Sequence, residues 1–228
     1  MNIIPLDWDT INFGFKVGLY ETKELTQWSF HELKVEAKER GFRLVYINCL
    51  NKLDDSSSFY DKKIIFTKER SNIQGDKNKN IISYKDKHHI EPEIYNLTIK
   101  SGEYSRYNLD KNFPSESFHL LYRKWIENSI FTDYATDVLI YKMKETPIGL
   151  LTYKNNETNS TIGLISVNSN FQNQGIGSIL INHYQSILDN HIRTLTVSTQ
   201  GINKNAIAFY KKNGYTIKSY SYIYHLWI

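Results

Sequence analysis

Two glycines that stand one residue apart, Gly175 and Gly177, mark the point where a strand pattern changes into a helix pattern. The apolar and β-branched run of residues 161–167 predicts a strand. Residues 176–188 then carry apolar side chains at helical spacing, which predicts an amphipathic helix. The first amides of a helix lack internal acceptors, and glycine lets a ligand approach the backbone closely. The turn is therefore suited to bind an anion such as a diphosphate.

Neither of the two common glycine-rich phosphate motifs fits this turn. A dinucleotide-binding turn has a third glycine and lies in a βαβ unit, whereas strands predicted at 137–143, 147–153 and 161–167 form an antiparallel meander. A P-loop continues with Gly-Lys-Ser or Gly-Lys-Thr, and no such triplet follows Gly175. A plain strand–turn–helix, in which the glycines serve only the turn, is the alternative interpretation.

A polar and charged stretch, residues 68–80, predicts a solvated connection that divides the chain. We therefore expect a small N-terminal α+β domain over residues 1–72 and a second domain over residues 78–228. The elements predicted for the first domain are a helix and two flanking strands, at 24–41, 43–48 and 63–67.

The second domain is predicted to alternate strands and helices more regularly. Its predicted strands are 81–84, 137–143, 147–153, 161–167 and 194–198, with a strand pair over 215–228. Its predicted helices are 91–101, 115–129, 176–188 and 203–213. The aromatic segment 220–227 either completes the sheet of its own chain or pairs with a second copy in a homodimer.

Two motifs resemble those of a known family, the GNAT acyltransferases. Residues 167–177 (Val-Asn-Ser-Asn-Phe-Gln-Asn-Gln-Gly-Ile-Gly) resemble its acetyl-CoA pyrophosphate loop, Arg/Gln-x-x-Gly-x-Gly/Ala. Residues 203–215 (Asn-Lys-Asn-Ala-Ile-Ala-Phe-Tyr-Lys-Lys-Asn-Gly-Tyr) are similar to its second signature, Asn-x-x-Ala-x-x-Phe/Leu-Tyr followed by Gly-Phe/Tyr. Ser169 stands where many members have proline and Asn173 where many have glycine, and neither change removes an amide donor. The resemblance implies the GNAT fold, an α+β fold with a mixed, mostly antiparallel sheet flanked by helices.

The resemblance also implies an acetyl-CoA-dependent N-acetyltransferase. The residues expected to hold the cofactor lie at the end of strand 161–167, in the turn and at the start of the last helix: Ile165, Ser166, Val167, Gln172, Asn173, Gln174, Gly175, Ile176, Gly177, Asn203 and Ala206. A backbone amide near the end of that strand would polarise the thioester carbonyl. Asn203 also suits the cap of the last helix, and the two roles are compatible.

For the acid, the resemblance implies that Tyr210 donates a proton to the CoA sulfur in a direct transfer. A phenol with a pKa of about 10 stays protonated at neutral pH, as an acid must. The alternative is that Tyr210 only packs on the sheet beside Phe209.

For the base, the simplest option is a carboxylate that acts directly or through water. Asp61 is the candidate, because residues 59–66 are similar in shape to a stretch that carries an acidic residue in related sugar acetyltransferases. The alternative is a solvated surface aspartate beside two lysines.

The resemblance extends to N-acetyltransferases that act on dTDP-linked 4-amino-4,6-dideoxyhexoses in surface-polysaccharide synthesis, such as that of O-antigen lipopolysaccharide. The matching stretches are 6–14, 105–107, 122–129 and 194–201. This implies a small-molecule nucleotide-sugar acceptor, with Ser105, Arg106, Tyr107 and Asn128 as candidate binding residues. Arg106 suits bidentate binding of phosphate, and a surface ion pair is its alternative role.

Composition excludes several other classes of protein. The 28 basic and 24 acidic side chains are spread along the chain and leave a formal charge of only +4, which does not indicate a nucleic-acid footprint. No apolar run approaches the ~20 residues that span a bilayer, so no membrane association is expected. The start of the sequence does not resemble a secretory signal, and Cys49 alone cannot form an internal disulfide. We expect a cytoplasmic protein.

Other possibilities remain at the level of sequence. His88 and His89 are adjacent, but no further ligands lie at a useful spacing, so no metal is expected. A GNAT enzyme that acetylates a protein, a peptide or another small amine fits the two motifs equally. So does a non-catalytic module that binds CoA.

Overall fold

The structure is a computed structural model that describes residues 1–53, 59–70, 77–85 and 87–228. Its strands are β1 (Ile4–Pro5), β2 (Val17–Glu21), β3 (Leu44–Cys49), β4 (Tyr60–Glu69), β5 (Ile81–Ser83), β6 (Asp137–Met143), β7 (Thr146–Asn156), β8 (Asn159–Val167), β9 (Thr194–Gln200) and β10 (Thr216–Trp227). Its α-helices are α1 (Asp7–Phe13), α2 (Gln27–Glu39), α3 (Pro92–Ser101), α4 (Arg106–Leu109), α5 (Ser117–Phe131), α6 (Ile176–Ile187) and α7 (Lys204–Lys212).

All these strands join one sheet, in the order β1-β2-β3-β10-β4-β9-β8-β7-β6-β5. Within the described residues, β2–β3 and β8–β9 are the parallel pairs, and the other neighbours run antiparallel. The prediction of an α+β fold with a mixed, mostly antiparallel sheet flanked by helices is confirmed.

The sheet runs across the domain boundary predicted from the sequence. Strand β4 comes from the N-terminal third of the chain, yet it pairs with both β9 and β10. Residues 71–76 of the predicted connection lie outside the described residues. A separate N-terminal domain over 1–72, followed by a domain over 78–228, stays a prediction.

Successive strand residues serve opposite faces of the sheet, as the two-residue period of a strand requires. On one face, Ile64 and Phe66 of β4 join the core formed with α6 and α7. On the other face, Val138 and Ile140 of β6 pack against α3 and α5. Asp61 of β4 differs from Ile64 by an odd number of residues, so it lies on the α3–α5 face.

Local signals account for the ends of the N-terminal helix α2. Thr26 and Ser29 form a capping box, in which each side chain bonds the backbone of the other. After the helix, Gly41 has a φ of +72°, a conformation that glycine adopts without cost. The helix is therefore shorter at both ends than the predicted 24–41.

The prediction of a strand pair over 215–228 is wrong. The segment forms the single strand β10, which pairs with β3 on one side and β4 on the other. It passes a register shift between Ile217 and Ser219 without turning back. No glycine, proline or asparagine lies within 216–227 to favour a turn. Strands β3 and β4 together provide pairing partners along the whole of β10. The segment thus completes the sheet of its own chain.

Candidate active site

The parallel pair β8–β9 is where the sheet opens. Within the described residues, β8 pairs with β9 only from Asn159 to Ile162. Just beyond, the register of β8 against β7 shifts by one residue, and Thr152 Oγ1 of β7 accepts a hydrogen bond from the Leu164 amide at 2.9 Å. A Cβ at Gly163 would lie 2.9 Å from the same Oγ1, so glycine is needed there. Such a bulge bends its strand, and β8 diverges from β9.

A cavity of about 1000 Å³ occupies the gap between the diverging strands. Its lining comes from the free ends of β8 and β9, the turn before α6, one face of α7, strand β4, and the segment from the end of α3 to α4. Helix α7 and helix α4 lie on opposite faces of the sheet. One cavity therefore gives access to side chains from both faces.

The turn before α6 carries free amide donors. Asn173 and Gly175 have φ values of +62° and +84°, and Gly175 is the N-cap residue of α6. Across the described part of the chain, the backbone amides of residues 172–178 find no hydrogen-bond acceptor. Because the helix dipole adds partial positive charge at this end, the turn has the donors that a diphosphate requires.

Gly177 allows close packing of α6 on α7. A Cβ at this position would lie 3.0 Å from a ring carbon of Phe209. The start of α7 is fixed by Asn203, whose Oδ1 accepts the Ala206 amide at 3.0 Å. The capping role of Asn203 is confirmed, and both Asn203 and Ala206 line the cavity.

Tyr210 both packs in the core and lines the cavity. Its ring centroid lies 5.5 Å from that of Phe66 and 6.0 Å from that of Tyr215. Burial raises the pKa of the Tyr210 phenol well above its ordinary value, so the hydroxyl is protonated at neutral pH. Tyr210 thus packs on the sheet, as the alternative interpretation expects, and it also lines the cavity.

Asp61 lines the same cavity on the α3–α5 side and is half-buried, unlike a solvated surface aspartate. Burial raises the pKa of its carboxyl to about 6, although Arg106 and Lys63 act to lower it. A carboxyl with this pKa is mostly ionised at pH 7 and is still basic enough to accept a proton.

Arg106 sits between two tyrosine rings beside this carboxyl. Its guanidinium carbon lies 4.8 Å from the Tyr46 ring centroid and 4.5 Å from that of Tyr107. Its Nη2 donates a hydrogen bond to the Tyr107 hydroxyl at 2.5 Å, and its buried Nε has no partner. In the described ranges Arg106 makes no salt bridge, so the surface ion pair considered from the sequence is not seen.

A buried hydrogen-bond network ties the segment that carries Arg106 to the last strand. Asp110 follows α4, and its Oδ2 accepts hydrogen bonds from His225 Nδ1 at 2.6 Å and from Trp227 Nε1 at 2.8 Å. Burial lowers the pKa of His225 to about 4, although Asp110 acts to raise it. The imidazole is therefore neutral at pH 7 and donates its Nδ1 proton to Asp110.

This network predicts a loss of stability in mild acid. Because the unfolded chain protonates His225 near pH 6.5 and the folded protein only near pH 4, lowering the pH through this window favours unfolding. The penalty from this histidine reaches about 3 kcal/mol at its full extent. We expect the free energy of unfolding, measured in urea from pH 7 to 4, to fall less steeply in His225→Asn than in wild type.

The exposed His191 provides the control for that measurement. His191→Asn removes one histidine from the surface and is expected to keep the wild-type pH slope. Equal slopes for all three proteins would remove His225 from the acid response.

The cavity brings together most of the site residues predicted from the sequence. Those that line it are Asp61, Ser105, Arg106, Tyr107, Ile165, Ser166, Val167, Gln172, Asn173, Gly175, Ile176, Gly177, Asn203, Ala206 and Tyr210. Gln174 is not among the lining residues, and its side chain points back to the Asn170 carbonyl. Asn128 is not among them either, and its carbonyl accepts the amide and hydroxyl of Thr132 near the end of α5.

Several lining residues were missed at the level of sequence. Lys63 lies two residues after Asp61 on β4 and lines the cavity with it. The alternation of side chains along a strand predicts that these two residues share one face. Tyr122 and Trp125 of α5 pack in the core on this face of the sheet, and both also reach the cavity.

Two further findings bear on the site and its surroundings. No group of three histidine, cysteine, aspartate or glutamate side chains is placed to hold a metal ion in the part of the chain that the structure describes. Over the same residues, no helix is long and apolar enough to cross a bilayer.

Comparison with known proteins gives one family and several structural neighbours. The model of the acetyltransferase (GNAT) family matches residues 94–215. No curated protein matches the sequence. A functionally unknown conserved protein from Staphylococcus epidermidis ATCC 12228 is similar in structure, with a TM-score of 0.66 and 14% identity over 96% of this chain and 88% of that chain.

Two other neighbours have lower scores. A tandem GNAT protein from the clavulanic acid biosynthesis pathway has a TM-score of 0.55 and 9% identity, covering 94% of this chain and 76% of that chain. A GCN5-related glucosamine N-acetyltransferase region in a fungal multi-domain protein has a TM-score of 0.53 and 11% identity, covering 99% of this chain and 31% of that chain. At these identities the likeness shows the fold alone.

Proposed function

Since the chain belongs to the acetyltransferase (GNAT) family and is an acetyl-CoA-dependent N-acetyltransferase, we propose which amine it acetylates. The acceptor is the amine of a nucleotide-linked amino-dideoxy sugar, of the dTDP-4-amino-4,6-dideoxyhexose type. One observation carries this proposal: a single cavity joins the amide-lined turn before α6 to Asp61 and Arg106 on the other face of the sheet. Donor and acceptor would then meet in the gap between β8 and β9.

The residues of the turn fit the donor. The free amides of residues 172–178 would bind the diphosphate of CoA, and the side of β8 that lacks a β9 partner would bind the pantetheine arm through backbone groups. Gly175 leaves open space where a side chain would stand, since no atom lies within 4 Å of a Cβ built there. These features support Gln172, Asn173 and Gly175–Gly177 as the cofactor-binding turn.

The acid and the base would act from opposite faces of the sheet. Asp61 accepts a proton from the acceptor amine, directly or through water, as the nitrogen forms its bond to the acetyl carbon. The carbon–sulfur bond breaks, and Tyr210 donates its proton to the departing thiolate. A backbone amide at the free end of β8 polarises the carbonyl oxygen. The protonated Tyr210 and the ionised Asp61 at pH 7 support these roles.

The acceptor half of the cavity suits a charged sugar. Arg106, Tyr107 and the Ser105 segment line it, and the Trp125 ring adds an aromatic surface. The stretches that resemble dTDP-fucosamine N-acetyltransferase, an enzyme of enterobacterial common antigen synthesis, include residues 105–107. The fungal neighbour described as a glucosamine N-acetyltransferase region is consistent with an amino-sugar acceptor for this fold.

The acceptor can be identified by following thiol release from acetyl-CoA with a panel of amines. The panel contains a dTDP-linked 4-amino-4,6-dideoxyhexose, free amino sugars, lysine-containing peptides and polyamines. We expect the nucleotide sugar to give the highest kcat/KM. Turnover of peptides or polyamines with none of the sugar would contradict the proposed acceptor and leave the acetyltransferase assignment intact.

Replacement of Asp61 tests the base. Because the Asp61 pKa is about 6, the wild-type kcat is expected to rise with pH through that value and level off above it. Asp61→Asn cannot accept the proton, so we expect kcat to fall about 100-fold and the limb near pH 6 to disappear. Glu69→Gln, at the exposed end of the same strand, is the control and should keep both. A retained pH limb in Asp61→Asn would assign the base elsewhere.

A further inference from the structure

The acceptor side of the cavity carries two cations close to one carboxyl. Asp61 and Lys63 lie on the same face of β4, and Arg106 approaches from α4. Lys63 and Arg106 each interact electrostatically with Asp61 and with one another. Arg106 also interacts with the partly buried Asp9 carboxyl, which does not line the cavity. The lining on this side therefore holds more positive than negative charge.

Neither cation is neutralised by an ion pair. Within the described residues, no salt bridge includes Lys63 or Arg106, whereas the nearby Lys100 is bound to Glu103 at 2.6 Å. Burial, together with Arg106, lowers the pKa of the half-buried Lys63, against the opposing effect of Asp61. Asp61 acts on both cations and Asp9 acts on Arg106, but neither carboxylate lies within salt-bridge distance of them. Keeping a partly desolvated cation without a directly bonded counterion costs free energy, which a bound anion would recover.

The unused donors of Arg106 point to the same conclusion. Its Nη2 is bound to Tyr107, and its Nε is buried without a partner. The two flanking rings hold the guanidinium plane in place. A fixed guanidinium suits bidentate binding of phosphate, and the Lys63 ammonium adds a second charge on a flexible stem.

We propose that Lys63 and Arg106 form an anion subsite for a diphosphate group of the acceptor, with Lys63 as a specificity-determining residue. The inference rests on the proposed function, which gives the acceptor its diphosphate and places it on this face of the sheet. The subsite is distinct from the turn before α6, which supplies backbone amides on the other side of the gap. Asp61 lies beside it, so an acceptor anchored there would hold its amine within reach of the base.

The strand provides a matched control. Lys62 is the neighbour of Lys63 on β4 and points to the opposite face, where its ammonium lies 4.4 Å from the Tyr220 ring centroid. Lys62→Met and Lys63→Met thus remove the same charge from adjacent positions of one strand. A difference in anion binding between the two variants would therefore depend on where the charge lies and not on the net charge of the protein.

The test measures binding of dTDP and of inorganic pyrophosphate by calorimetry, with CoA at saturation so that the cofactor turn is filled. Loss of a charge-assisted contact is expected to weaken binding of both probes about 10- to 100-fold in Lys63→Met. Lys62→Met should bind as wild type does, and Lys63→Arg should retain most of the affinity. The CoA affinity of each variant, measured first, shows that it is folded.

The outcomes distinguish this inference from the proposed acceptor. Equal affinities in Lys63→Met and Lys62→Met, or no binding of either probe to wild type, would overturn the subsite. Binding of pyrophosphate that depends on Lys63, without turnover of any nucleotide sugar, would keep the subsite and reject the proposed acceptor. Turnover of the nucleotide sugar at the same KM in Lys63→Met would keep the acceptor and reject the subsite.

Discussion

Tyr210→Phe is expected to lower kcat about 100- to 1000-fold, the range typical of a lost general acid. The phenol lines the cavity and is protonated at neutral pH, because burial holds its pKa high. Phenylalanine keeps the ring and its contacts with Phe66 and Tyr215, so the fold and the affinity for CoA should be nearly unchanged. Steady-state kinetics and calorimetry with CoA measure the two quantities separately.

Tyr215→Phe is the matched control for this experiment. Tyr215 is buried in the same core cluster, and its hydroxyl has no hydrogen-bond partner, but it does not line the cavity. We expect Tyr215→Phe to keep the wild-type kcat. An equal loss in both variants would indicate a packing effect, and an unchanged rate in Tyr210→Phe would remove the phenol from the reaction.

Gly175→Asp is expected to weaken CoA binding by about 100-fold or more. The substitution places a carboxylate among the free amides of residues 172–178, where it repels the diphosphate and competes for its donors. The φ of +84° also strains any residue other than glycine. Calorimetric titration with CoA measures the effect directly.

Gly41→Asp separates the two causes. Gly41 has a φ of +72° and no atom within 4 Å of a built Cβ, as at Gly175, but it lies at the end of α2 and not on the cavity. The conformational cost and the added charge are therefore matched. We expect Gly41→Asp to bind CoA as wild type does, and normal binding by Gly175→Asp would exclude the turn as the diphosphate site.

Elements with strong local signals could be predicted from the sequence. Strand β6 has the predicted bounds 137–143 because polar residues bound a continuous apolar and β-branched run of strand length. Helix α6 begins at Ile176, directly after the glycine of the predicted turn, Gly175. The motif residues of the turn and of α7 also line one cavity. Their positions could be predicted because the turn directly follows a predicted strand and the others lie on a predicted helix.

Features that depend on distant parts of the chain could not be predicted in this way. Strand β4 lies between β9 and β10, more than 120 residues away in sequence, and no local pattern specifies that insertion. The sequence predicts no element at the short helix α4, since four residues are too few to show a period. Hence the position of Arg106 between Tyr46 and Tyr107 became visible only in the fold.

The environment of Asp61 also depends on distant parts of the chain. The sequence indicates Asp61 as the base only through a resemblance in the shape of residues 59–66, and a surface aspartate fits the same residues equally well. Its half-buried position depends on β10, whose Ile223 is paired with Asp61, and on α4, which Asp110 ties to His225 of the same strand. The raised pKa of Asp61 is thus a property of the assembled sheet rather than of the residues beside it in sequence.

A crystal structure of the protein with bound CoA tests most directly whether the gap between β8 and β9 is where the acetyl group is transferred. We expect diphosphate oxygens about 3 Å from amides of residues 172–178 and the sulfur within about 4 Å of the Tyr210 hydroxyl. A diphosphate bound away from this turn, or a sulfur on the far side of the cavity from the phenol, would contradict the account.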